Sequence, residues 1–125
     1  MSVSTEFLDF IAEQMVQFGP VTARRMFGGA GIFRGGVMFA LIAGEVLYLK
    51  ADAVTKVDFE TEGLKPFTYA TKHGPNTIMS YWRAPSRCLD DPEEMEIWCR
   101  KAFAAALRSV KPPARQKRSQ GGRPA

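Results

Sequence analysis

Residues 24–42, RRMFGGAGIFRGGVMFALI, run two arginines and a glycine cluster into an apolar block without helical period. The block Val37–Ile42 is apolar at every position, as in a central strand covered on one side and partly on the other. Gly35-Gly36 precedes it, a two-residue hairpin turn of the type that needs positive φ at both positions. A second tight turn is expected at Gly44-Glu45, and VLYLK at 46–50 continues as a strand. Residues 22–50 therefore read as a three-stranded meander, in which Gly28, Gly29 and Gly31 bend the first strand and let another element come close.

The glycines fail the phosphate-binding templates. Gly29-x-Gly31-x-x reaches Arg34 where a dinucleotide fingerprint needs a third small residue, and no Gly-Lys-Ser/Thr follows. A strand and hairpin come next, not a helix whose N-terminus would hold a phosphate. Side chains of adjacent strand residues point to opposite faces, so Arg24 and Arg25 serve different purposes. One is expected to reach solvent or a partner, and the other to lie along the edge of the helix layer.

Around this meander the pattern is helical at both ends. Ser4 is placed to cap a first helix, with Phe7, Leu8, Ile11, Ala12 and Met15 at helical spacing and Gly19-Pro20 as its stop. Asp52 is expected to cap a short helix with Val54, Val57 and Phe59 as apolar members, ended by Gly63 at C′. Phe67–Thr71 and Thr77–Arg83 flank the turn cluster KHGPN, a second hairpin. Asp91-Pro92 opens a long helix whose inner face is Met95, Trp98, Cys99, Ala102, Phe103, Ala106, Leu107 and Val110. The expected architecture is a two-layer α+β domain of order α-βββ-α-ββ-α, with an antiparallel five-stranded sheet and helices on one face.

The 125 residues suffice for one domain with a real core, and 46% apolar with 24% charged residues is ordinary for a soluble globular protein. The net charge of +4 divides unevenly. Residues 1–110 hold twelve Lys/Arg and thirteen Asp/Glu, while KPPARQKRSQGGRPA at 111–125 holds five basic residues and no acid. We read 1–110 as the domain and 111–125 as a disordered basic tail. The longest apolar run is seven residues, too short for a membrane span, and MSVSTEFLDF lacks the layout of an export signal. Cytoplasmic residence follows as the expectation.

Chemistry finds few candidates. His73 is the one histidine and falls in a turn, where a solvated loop residue is the natural reading. Cys88 and Cys99 lie eleven apart, without metal-ligand spacing, and read as free thiols. Neither has a neighbouring base. The acids from Asp90 to Glu96 match a helix N-terminus. No catalytic residue, metal or cofactor is expected. Basic and aromatic residues interleave at Tyr81-Trp82-Arg83, at Tyr48 and Lys50, and at Arg25 with Phe27, which suits either base stacking or ordinary strand filling.

RRMFGGAGIFRGGVMFALI, VLYLKAD, MSYWRAP and LDDPEEMEIWCRKA together resemble the N-terminal domain of the TfoX/Sxy proteins, bacterial regulators of natural competence. The resemblance covers roughly residues 5 to 108. It implies an α+β fold with an antiparallel sheet, no enzymatic activity, and action alongside the cyclic-AMP receptor protein at a special class of promoters. Longer members add a helical C-terminal domain; this chain is expected to be a stand-alone version. Met26, Phe27, Gly28 and Gly29 match the family motif and are read as structural.

The leading expectation is a non-enzymatic regulatory module that works through protein partners such as transcription factors, as monomer or homodimer, without membrane contact. The candidate contacts to a protein or nucleic acid are Arg24, Arg25, Lys50, Arg83, Lys111, Arg115, Lys117 and Arg118. The rivals are a direct nucleic-acid binder using tail and sheet, and an uncharacterised small-molecule binder or enzyme.

Overall fold

The structure, a computed structural model, describes residues 3–26 and 28–110. Phe27 and the basic segment 111–125, with Lys111, Arg115, Lys117 and Arg118, lie outside the described residues. The elements are α1 (Thr5–Gln14), β1 (Thr22–Met26), β2 (Gly29–Arg34), β3 (Val37–Ala43), β4 (Val46–Lys50), α2 (Lys56–Thr61), β5 (Pro66–Thr71), β6 (Gly74–Arg83) and α3 (Pro92–Ser109), with a 3-10 turn at Ser86–Leu89. The strands form one antiparallel sheet in the order β1-β2-β3-β4-β6-β5.

The α+β class and the antiparallel sheet agree with the sequence reading, but the sheet has six strands, not five. Residues 22–34 are not one bent strand. Met26 pairs with Gly29 across residues 27–28, and Gly28 adopts a φ of +77°, so the chain reverses where a bend was expected. A left-handed glycine turns a strand back as readily as it kinks one. The order is α-ββββ-α-ββ-α. The turns at Gly35-Gly36 (φ +57° and +82°) and Gly44-Glu45 (+57° and +61°) are as the sequence suggested, the latter with a non-glycine residue in left-handed backbone.

Helices cover one face of the sheet. The Ser4 hydroxyl accepts from the Phe7 N–H and starts α1, and the Asp91 carboxylate accepts from the Glu93 N–H and starts α3. Phe39 on β3 meets Phe18 and Phe103 at ring distances of 5.2 and 5.9 Å. Phe59 of α2 bridges Trp82 of β6 and Trp98 of α3. A register shift between Ile32 and Phe33 on β2 leaves Phe39 without a cross-strand partner; Phe39 and Ala40 are both fully buried. The Gln14 amide donates to the carbonyls of Cys88 and Leu89, tying α1 to the 3-10 turn.

Three details of the expected core change. Val54 and Val57 are exposed, and only Phe59 of that trio is buried, because the helix starts later, at Lys56. Asp52 organises the preceding turn instead of capping the helix. Leu107 and Val110 are half exposed, while Ala105 and Ala106 are buried: the buried stripe of α3 ends on that alanine pair, with Leu107 beside it and Val110 at the C-cap.

Asp52 also accepts from the Arg108 guanidinium at 2.6 Å. This hydrogen bond, aided by the N–H groups of Thr55 and Val54, holds its carboxyl down at about 2. An unfolded Asp titrates near about 3.9. Because the folded value is the lower one, the stabilisation is complete above pH 4 and is lost as pH falls from there toward 2. Between pH 5 and 2, wild-type protein should lose more stability than Asp52→Asn in denaturant titrations. Parallel losses in both would show that the bond does not persist in solution.

Candidate binding face

The strand register defines a row of side chains on the sheet face opposite the helices. Arg24 stands across from Gly31, Gly31 from Leu41, Leu41 from Tyr48, and Tyr48 from Arg83. Directly opposed residues in antiparallel strands share a face. Lys50 and Tyr81 begin the next row. Arg24, Lys50 and Arg83 therefore lie on one surface, whereas Arg25, one residue from Arg24, turns to the other side.

Arg25 is engaged there. Its guanidinium donates to the Val3 carbonyl and to the Thr5 hydroxyl (3.1 Å), pinning the start of α1 to β1. Replacing Arg25 by Ala should lower stability by about 1 kcal/mol. Arg24→Ala should stay within about 0.5 kcal/mol of wild type. Thermal melts of both variants decide this, and a costlier Arg24 substitution would reverse the assignment.

The face is a concavity of about 850 Å³. Its floor is apolar: Met26, Met38 and Leu41, with Tyr48, Phe67 and Tyr69 rising on the β5 side. Tyr48 and Phe67 have ring centroids 4.8 Å apart, and Phe67 and Tyr69 lie side by side at 5.6 Å and 25°. The Asn76 amide donates to the Tyr69 hydroxyl at 2.8 Å and fixes that ring. Gly31 is required by what folds over it, for a Cβ there would meet Met26 Cε, Met38 Sδ and Phe33 Cε1 at 3.0–3.1 Å. Met26, Gly28 and Gly29 border the same concavity.

Cations sit on aromatic rings around this floor. The Arg24 guanidinium lies 5.7 Å from the Phe33 ring and Lys50 Nζ lies 5.2 Å from that of Tyr81. None of the six strands contains Asp or Glu. The acids belong to helices and turns, where Arg87 joins Glu62 and Glu94, Lys101 joins Asp58, and Arg108 joins Asp52.

The groups weighed for catalysis are elsewhere. Cys88 and Cys99 are fully buried free thiols. Burial pushes the Cys88 thiol up to about 12 and raises that of Cys99 as well, so neither is a thiolate at neutral pH. His73 is exposed in the β5–β6 turn. Among the described residues no three His, Cys, Asp or Glu side chains group closely enough to hold a metal ion. No helix among them is long and apolar enough to cross a membrane.

Sequence reasoning found the cations but missed the floor. Met38, Leu41, Phe67 and Tyr69 were read as core or as strand texture. The available signal was the doubly apolar β3 together with the absence of acids from every strand.

The antiparallel sheet thus carries helices on one face and an apolar surface, bordered by Arg24, Lys50 and Arg83, on the other. The TfoX N-terminal domain profile matches residues 13–106 of the 125. The chain belongs to that family, and the regulatory character implied by the resemblance applies to it at the family level. No curated protein matches the chain.

Proposed function

We propose that the chain is a non-enzymatic regulatory module that binds a protein partner on the open face of its sheet, in transcription or competence regulation in the bacterial cytoplasm. One observation carries this reading: the uncovered face combines methionine, aromatic and arginine side chains and carries no acid on its strands. Protein interfaces are enriched in these residue types and depleted in Asp and Glu. Methionine lets such a surface adapt to its partner, and Tyr and Arg supply the anchors. The buried, protonated thiols support the non-enzymatic part.

The test is capture from nuclease-treated lysate by the full chain, followed by an affinity measurement with the purified partner. Leu41→Asp, placed mid-floor, should weaken that complex at least tenfold while the melting point holds. Met38→Asp serves if Leu41→Asp melts low. Unchanged affinity in a folded variant would place the contact elsewhere. Capture that disappears with nuclease treatment would favour nucleic acid as the partner.

A further inference from the structure

We infer that the open face receives an acidic amphipathic helix of three to four turns, laid across the strands with its carboxylates at Arg24 and Arg83. This rests on the open face being the partner surface, and it names the partner's chemistry.

Backbone accounting comes first. The strands under the concavity are paired on both sides, β2 by β1 and β3, β3 by β2 and β4, and β4 by β3 and β6. Their N–H and C=O groups are engaged in ladders, so the face offers only side chains. An extended segment lying there would leave its own backbone without partners, whereas a helix satisfies its own.

Charge sets the sign. The strands carry Arg24, Arg25, Arg34, Lys50 and Arg83. Arg25 holds the α1 start, and the Arg34 guanidinium lies 4.4 Å from the Phe18 ring on the helix side. Arg24, Lys50 and Arg83 remain on the open face, and among the described residues none of them forms an ion pair. Glu45, in the β3–β4 turn, borders a small crevice with Arg83 without pairing to it. Carboxylates of a partner are the complement, steering its approach and fixing its register.

Spacing sets the length. Arg24 and Arg83 end a five-strand row, four inter-strand steps or about 19 Å apart. At about 1.5 Å per residue a helix covers that distance in about 13 residues. Between its acidic ends its apolar stripe meets Leu41 and Tyr48. A second copy does not fit this description, because open face against open face sets Arg24, Lys50 and Arg83 against their own kind.

The probes are a fluorescein-labelled 16-residue helical peptide with a Leu/Phe stripe and glutamates at both ends, its lysine-ended counterpart, and a 12-mer of oligodeoxythymidine. Each is titrated against the full chain by fluorescence anisotropy at physiological salt. The acidic peptide should saturate, binding at least tenfold more tightly than either other probe. Arg24→Glu and Arg83→Glu should each weaken it about tenfold, and Leu41→Asp should abolish binding. Equal binding of both peptides, still lost in Leu41→Asp, would overturn the acidic helix and leave the open face as the partner surface. An acidic peptide unaffected by Leu41→Asp would remove both readings, since attraction to residues 111–125 persists in every variant. Failure of the acidic peptide to bind, or tighter binding of the oligonucleotide, would also overturn the inference.

Discussion

Gly29→Ala should be among the most damaging single-methyl additions in this protein. A Cβ at Gly29 would collide with the carbonyl oxygen of Ile42 on β3, with the Ile42 carbonyl carbon and Ala43 Cα close behind. All three are backbone atoms of the neighbouring strand, so no rotamer change relieves the contact. Either β2 leaves β3 locally or the β1–β2 turn shifts. Overpacking commonly costs about 1–3 kcal/mol when side chains can adjust, and here they cannot. We expect a loss of about 3 kcal/mol or more, and a melting midpoint lower by about 10 °C or more. Gly35→Ala is the control. It sits at a hairpin tip with open space around it and a φ of +57°, so its cost is the left-handed backbone alone, about 1 kcal/mol. A Gly29→Ala protein as stable as Gly35→Ala would mean that the two strands approach less closely in solution.

Trp98→Ala is expected to cost about 3–5 kcal/mol in chemical denaturation. The indole is 4% exposed and meets Phe59 edge-on at 5.0 Å, while Phe59 in turn reaches Trp82 at 6.2 Å. This aromatic file joins α3 to α2 and α2 to the sheet. Arg87 and Lys101 lie over the indole at 5.8 and 5.7 Å, so the truncation also strips two cations of their ring. Because the whole stability of such a domain is about 5–15 kcal/mol, the variant should be marginal near 40 °C. A wild-type midpoint would contradict the burial of this residue.

Much of the fold was legible because local signals and long-range contacts agree. Ser4, Asp91-Pro92, Gly35-Gly36 and Gly63 each fix a cap or turn by their own chemistry, and each performs that task. The missed strand had no such single meaning, since Gly28 permits reversal and bending alike, and only the pairing of Met26 with Gly29 decides between them. The arginine pair was legible as a division of labour, because strand alternation alone separates Arg24 from Arg25. Which of them faces outward depends on where α1 lies, and that is a tertiary fact. The apolar floor was illegible for a related reason: Phe39 and Leu41, two residues apart, would share a face by strand alternation, and only the register shift against β2 turns Phe39 toward the helices and Leu41 away from them.

The β5–β6 hairpin gives the open face an uneven stiffness. Beyond the contact of Lys50 with Tyr81 and the bond from the Ala51 N–H to the Ser80 carbonyl, β6 has only β5 for a neighbour, and β5 has only β6. The pairing register breaks between Pro66 and Phe67, where this ribbon leaves the sheet. Two strands alone are marginal in water. Phe67 and Tyr69 stand on that ribbon, while Met38 and Leu41 stand on a strand bonded on both sides. The open face therefore has one fixed side and one compliant side, so its width is set by the weaker-held ribbon. Amide protons of residues 67–71 and 74–78 should exchange with solvent well before those of β3, because the ribbon gives way first.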